Sequence, residues 1–139
     1  MSPVLLDTGC IVALLDRSER HHRRCVDAVG TVSEPLVTCE AVIAEACYLL
    51  RGLPGAVDAV LANVETRTFD VPFTLGPSCK AIRALLRRYG AGRMDLTDAC
   101  LVHMADLMDS GRILTLDRDF DVYRWRRSRP FERLIPLEG

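Results

Sequence analysis

The stretch that most limits what this chain can become is Val4-Leu5-Leu6, an unbroken apolar run that stops at Asp7 and Thr8. Successive side chains of a strand point to opposite faces, so a strand apolar at every position must be covered on both sides. Parallel sheets held between layers of helices have that property. Ligands of such sheets gather beyond the carboxyl ends of the strands. Asp7 therefore stands where chemistry is expected. A second run of the same kind, Ile113-Leu114-Thr115-Leu116, ends at Asp117, so two strands deliver a carboxylate to the same edge.

Helix and strand signals alternate between these two runs. Residues 9–15 read as a short helix carrying Ile11, Val12, Leu14 and Leu15, and 19–29 as a second that Gly30 ends. Pro35-Leu36-Val37-Thr38 is a short strand. Over 40–51 the apolar set Val42, Ile43, Ala46, Cys47, Leu49 and Leu50 follows helical spacing, with Glu45 inside it and Gly52 closing it. After Pro54-Gly55, the residues Val57, Val60, Leu61 and Val64 mark another helix, and a strand at 68–71 stops at Pro72. The helix that follows Gly76-Pro77 turns Cys79, Ile82, Leu85, Leu86 and Tyr89 inward and Lys80, Arg83 and Arg87 outward. Gly90 and Gly92 release the chain before Asp95-Leu96-Thr97-Asp98. The segment 99–108 is apolar nearly all round, which predicts a deeply buried helix, ended by Gly111. An edge strand at 131–137, limited by Pro136, completes the pattern. Strands separated by helices make this an α/β chain with a mainly parallel sheet and right-handed connections. No linker divides it, so a single domain over 1–139 is expected.

The apolar stretches are broken by charges well before the ~18 residues a membrane helix needs, and no signal-peptide pattern opens the chain. A cytoplasmic protein is the expectation. The six cysteines contain no CxxC pair and read as reduced, buried side chains, with Cys47, Cys79 and Cys100 on helical apolar stripes. A formal net charge of −1 argues mildly against an indiscriminate nucleic-acid binder. Its distribution says more: 17 of the 18 basic residues are arginine, gathered at Arg83, Arg87, Arg88 and Arg93 and again at Arg124, Arg126, Arg127 and Arg129. A basic rim around an acidic centre suits a polyanion held by its phosphates over a cation-loaded pocket, and a solvated basic face explains the same charges.

Asp7, Glu45, Asp98 and Asp117 are the candidate site residues, and each has an ordinary explanation. Asp7 can cap the helix that begins near Gly9, Asp98 can partner an N-cap at Asp95, Asp117 can open a turn, and Glu45 can face water. Together they converge on one edge of the sheet. Four close carboxylates raise one another's pKa values, whereas a divalent cation keeps them ionised. An oxygen-only donor set with no matching thiol or imidazole favours Mg²⁺ or Mn²⁺ over zinc. Thr8 and Thr115 lie within two residues of the strand-end acids, placed to orient a carboxylate or a water, although strand propensity alone also accounts for them. His21, His22 and His103 read as solvated or packing side chains.

With these residues in view, the chain resembles the PIN-domain family, and within it the VapC toxins of toxin–antitoxin pairs. The likeness rests on Leu6-Asp7-Thr8, on Glu45 within Ile43-Ala44-Glu45-Ala46-Cys47-Tyr48-Leu49-Leu50, on Leu96-Thr97-Asp98-Ala99, and on Thr115-Leu116-Asp117-Arg118-Asp119-Phe120. It implies a PIN-like α/β/α sandwich, an Mg²⁺- or Mn²⁺-dependent endoribonuclease acting on RNA, a homodimer, and neutralisation by a cognate VapB-like antitoxin. Asp7 and Asp98 match the family's principal metal ligands, and Glu45 and Asp117 complete the acidic, catalytic pocket. Asp95, and either Asp119 or Asp121, stand as further helpers.

Two other readings belong to different classes. A PIN domain that binds RNA or a partner without cutting would be marked by a missing acid, and none of the four is missing. A phosphatase using Asp7 as nucleophile would want a second aspartate two residues on, where Gly9 stands. A stand-alone PIN nuclease of RNA processing differs in biology and shares the chemistry.

Overall fold

In the computed structural model, which describes residues 2–136, the chain runs β1 (Val4–Leu6), α1 (Thr8–Leu15), α2 (His22–Gly30), β2 (Leu36–Val37), α3 (Glu40–Leu49), α4 (Ala56–Glu65) and β3 (Phe69–Asp70). It continues through a 3-10 turn into α5 (Cys79–Tyr89), then α6 (Leu96–Met108), β4 (Arg112–Leu114), a second 3-10 turn (Arg118–Asp121), β5 (Arg124–Trp125), β6 (Arg129–Pro130) and β7 (Glu132–Arg133). The sheet order is β3-β2-β1-β4-β7 with every neighbouring pair parallel. Six helices flank it, so the expected α/β/α architecture stands.

The apolar run dictates this centre. Leu5 registers against Val37 on one side and Ile113 on the other. Val4, Leu5, Leu6, Ile113 and Leu114 are fully buried, each contributing about 1.5–3 kcal/mol of hydrophobic stabilisation. From β1 the chain goes outward through β2 and β3 on one side, and β4 and β7 occupy the other. The order therefore reverses between β1 and β4. In open parallel sheets a crevice forms at that switch point beyond the carboxyl ends, and both strand-end acids, Asp7 and Asp117, lie there.

Several boundaries differ from the sequence reading for identifiable reasons. The helix expected from residue 19 begins at His22 because the hydroxyl and backbone N–H of Ser18 both donate to Asp16 Oδ1, at 2.6 and 3.0 Å, and hold a turn in its place. Gly30 is the last residue of α2, not its stop signal. Gly111 does not end α6 either: Asp109 takes the left-handed C-cap with φ 52°, a conformation aspartate tolerates better than most. Gly111 is needed elsewhere, since a β-carbon there would stand 2.1 Å from Trp125 Nε1. Cys79 is exposed, not inward, because α5 packs chiefly on α6 and buries only Ile82 fully. Leu49 and Leu107 are likewise exposed. Of the edge strand expected at 131–137, two residues pair with β4, and Leu137 lies outside the described residues. All six cysteines are free. Among the described residues no helix is long and apolar enough to cross a membrane.

Candidate active site

Asp7 is the N-cap of α1, and its carboxylate divides its two oxygens between that helix and β4. Oδ1 accepts from the adjacent Thr8 N–H at 2.8 Å, and Oδ2 accepts from the Thr115 hydroxyl at 2.7 Å. Thr115 in turn accepts the Asp117 N–H at 3.0 Å, so one hydroxyl ties the ends of β1 and β4 together and orients both acids. The Asp7 backbone N–H also bonds to the carbonyl of Leu114 at 3.1 Å, which continues the ladder up to the acid itself. Burial pushes the Asp7 carboxyl up from its ordinary 3.8 to about 6. The bonds from Thr115 and Thr8 pull the other way, and the nearby charges of Asp117 and Glu45 add to the rise.

Asp98 takes part in the cap of α6 and also turns its side chain to the site. Its backbone N–H donates to Asp95 Oδ1 at 2.8 Å, which caps α6. Its side chain does something else: Oδ2 lies 2.8 Å from the hydroxyl of Tyr123, which is also 2.9 Å from the Arg93 carbonyl. A phenol has one proton, and an ionised carboxylate is the stronger acceptor. Tyr123 is 2% exposed and is gripped edge-on by Tyr89 at 5.2 Å and Phe120 at 5.1 Å, so the hydroxyl has little freedom to move. Burial pushes Asp98 up to about 7; Tyr123 lowers it, and Asp95, Asp7 and Asp117 raise it further by charge. Burial and the bond to Asp98 raise the phenol's own pKa as well.

Asp117 opens the second 3-10 turn and accepts the Asp119 N–H at 2.9 Å. That turn brings the exposed Asp119 beside its neighbours: single carboxylate oxygens of Asp98, Asp117 and Asp119 lie within 4.8 Å of one another. Asp121 is drawn off by an ion pair with Arg133 Nε at 3.3 Å, so of the two it is Asp119 that lies near the other acids. Asp7 and Glu45 are outside that tight triplet and line the same cavity of about 340 Å³, together with Thr8, Asp95, Asp98, Asp117 and Leu49. Glu45 reaches it from the exposed side of α3. All four candidate acids thus border one cavity.

The donor chemistry fits a hard divalent cation. Among the described residues no thiol or imidazole lines the cavity, and oxygen donors alone suit Mg²⁺ or Mn²⁺. Thr8 Oγ1 is buried without a hydrogen-bond partner among the described residues, as expected of a hydroxyl whose partner is a group the cavity receives. Sequence reading missed Tyr123 and Arg133. The guanidinium of Arg133 reaches back to the carbonyls of Thr115, at 3.2 Å, and Asp117, at 3.1 Å, and fixes the segment that carries Asp117 and Asp119. Nothing in the local pattern marks either residue, because each acts through contacts distant in sequence. Of the histidines, His22 bonds the Ala13 carbonyl through Nδ1 at 2.6 Å and His103 packs edge-on to Phe73, so neither approaches the acids.

Comparison with known proteins places the chain in a family. "Ribonuclease VapC26" of Mycobacterium tuberculosis (strain ATCC 25618 / H37Rv) is 26% identical over 138 residues, a span of 98% of this chain and 95% of the relative. The crystal structure of M. tuberculosis VapC20, described as a sarcin-ricin loop cleaving toxin, matches with a TM-score of 0.79 at 18% identity, covering 91% of this chain and 99% of that one. At that identity the likeness is one of fold. The family model described as "PIN domain" matches residues 4–126, the stretch that carries β1, α6 and all the acids above, and this chain belongs to the PIN-domain family.

Proposed function

We propose that this chain is a divalent-metal-dependent endoribonuclease, the toxin of a toxin–antitoxin pair, which hydrolyses RNA phosphodiester bonds and is neutralised by a cognate antitoxin. The observation that carries the reading is the acid cluster itself: Asp98, Asp117 and Asp119 in mutual contact range, with Asp7 and Glu45 on the same cavity wall. A cation there would be held by Asp7, Asp98 and Asp117, with Glu45 and Asp119 in support. When bound, it supplies Lewis acidity toward a phosphate and a water of lowered pKa.

The chain's own groups prepare that site. Thr115 locks Asp7, Tyr123 locks Asp98, and Arg133 locks the turn that carries Asp117 and Asp119. Without a cation, burial and mutual repulsion hold Asp7 and Asp98 partly protonated near neutral pH. The site therefore gains most from a charge of +2. The naming of the relatives as a ribonuclease and a toxin supports the biological half of the reading. Leu49, exposed at the cavity's edge, offers an apolar foothold for an antitoxin segment that presents a basic residue to the acids.

The test is cleavage of a labelled RNA by the wild type in Mg²⁺ or Mn²⁺, by the wild type in EDTA, and by Asp98→Asn. Activity in the first case alone is expected. Undiminished cleavage by folded Asp98→Asn overturns the assignment. A small protein encoded beside this chain should co-purify with it and suppress that activity; its failure to do so would leave a stand-alone nuclease.

A further inference from the structure

A second cavity, of about 570 Å³, opens between α5, α6 and the β5–β6 hairpin, and Arg88, Arg124, Arg127, His103 and Asp106 line it. Ala81 and Ala84, one turn apart on α5, keep its wall open. Three guanidiniums face it against one carboxylate, and Asp106 already accepts the Arg126 N–H at 2.6 Å. None of Arg88, Arg124 and Arg127 is ion-paired to an acid among the described residues. Arg88 donates one N–H to the Arg127 carbonyl at 2.7 Å, and Arg124 donates Nη1 to carbonyls of its own turn. Each guanidinium carries five N–H groups, so donors remain on all three.

The hairpin tip holds its arginines at a conformational cost. Arg126 and Arg127 have φ of 44° and 68°, left-handed values that glycine or asparagine adopts more readily. Arg126 is spent on Asp109, at 2.9 Å, whereas Arg127 lines the cavity. Strain retained in a non-glycine pair points to a use for the side chain it positions.

The cavity shares elements with the acidic site but no lining residue. Arg124 follows Tyr123, whose hydroxyl contacts Asp98. His103 stands five residues beyond Asp98 on α6, about 8 Å along the helix axis and on a different face of it. An RNA strand running from the acids around this end of α6 would bring a later phosphate to these arginines. Planar guanidiniums grip such groups with paired N–H donors.

We propose that this cavity is a phosphate subsite, in which Arg88 and Arg127 bind a phosphodiester of the RNA strand away from the one to be cut. The inference rests on the nuclease reading and assigns its substrate's binding path. The probe is a fluorescein-labelled oligouridylate, bound in EDTA and followed by anisotropy over a range of KCl. Arg88→Gln with Arg127→Gln is compared with Arg17→Gln with Arg23→Gln, an equal charge loss at exposed positions beyond the far end of α1. Counterion release on a single strand contributes a slope of about 0.7 per phosphate contact in log K against log salt. The cavity pair should thus flatten the slope by about 1.4 and weaken binding, while the control pair leaves the slope unchanged. Equal slopes in the wild type and the cavity pair, an equal loss in the control pair, or no binding by the wild type overturns the proposal. Cleavage separates the two readings: wild-type activity that Asp98→Asn abolishes, alongside an unchanged slope in the cavity pair, leaves a nuclease without this subsite.

Discussion

Replacing Asp7 by asparagine should stabilise the metal-free protein while silencing it. The wild-type carboxyl is raised from 3.8 to about 6, chiefly by burial. A shift of about two units corresponds to roughly 3 kcal/mol that the folded state loses at neutral pH by holding this group ionised. The direction follows from proton uptake: between pH 3.8 and about 6 the folded protein binds more protons at Asp7 than the unfolded chain does, so stability falls as pH rises through that window. Asparagine keeps the shape and carries no charge. Its oxygen can still accept the Thr8 N–H, but its amide meets a Thr115 hydroxyl that now donates to Asp7 Oδ2, and losing that bond costs about 1 kcal/mol. The net gain is about 2 kcal/mol, or roughly 6 °C in melting temperature for a domain of this size. Thermal unfolding in EDTA from pH 4 to 8 measures it. The gain should be full above about pH 6 and fade toward pH 4. A variant that melts lower than the wild type at pH 7.5, or a difference that does not vary with pH, would refute the argument that the buried charge of Asp7 costs the metal-free fold stability.

Tyr123→Phe keeps the packed ring and removes the donor to Asp98. A hydrogen bond to a charged group is worth about 1.5–3 kcal/mol, so kcat should fall about 10- to 100-fold, and the acidic limb of the pH–rate profile should move upward because Tyr123 holds the Asp98 pKa down. A profile that keeps its shape and height would remove Tyr123 from the site. Gly111→Ala places a β-carbon against the Trp125 indole and should cost at least about 1–3 kcal/mol by overpacking; an unchanged urea midpoint would contradict the close approach.

The sheet was legible because Val4-Leu5-Leu6 and Ile113-Leu114 are apolar at successive positions and so need cover on both faces, although β4 itself opens one residue earlier, at the half-buried Arg112. The strand-end acids followed from the same fact. Glu45 and Asp98 were legible by context: a carboxylate among apolar helix residues, and one at the start of a buried helix. The choice between Asp119 and Asp121 was not, because it depends on Arg133, which lies 12 positions beyond Asp121 and draws that carboxylate away. Tyr123 was hidden for the same reason, 25 residues from the acid it touches. The β5–β6 hairpin escaped notice because its turn lacks glycine and asparagine and places two arginines in left-handed backbone. The C-cap of α6 falls on Asp109, and Gly111 serves instead the close approach of the Trp125 indole.

Whether the carboxylate cavity holds a divalent cation is decided most directly by titrating the protein with Mn²⁺ and following the paramagnetic resonance signal of the free ion. Wild-type protein should remove Mn²⁺ from solution with saturation, Mg²⁺ should displace it, and Asp98→Asn should lose the tight component while remaining folded. Equal uptake of Mn²⁺ by the wild type and Asp98→Asn would contradict the account, because the ion would then be held somewhere other than among Asp7, Asp98 and Asp117.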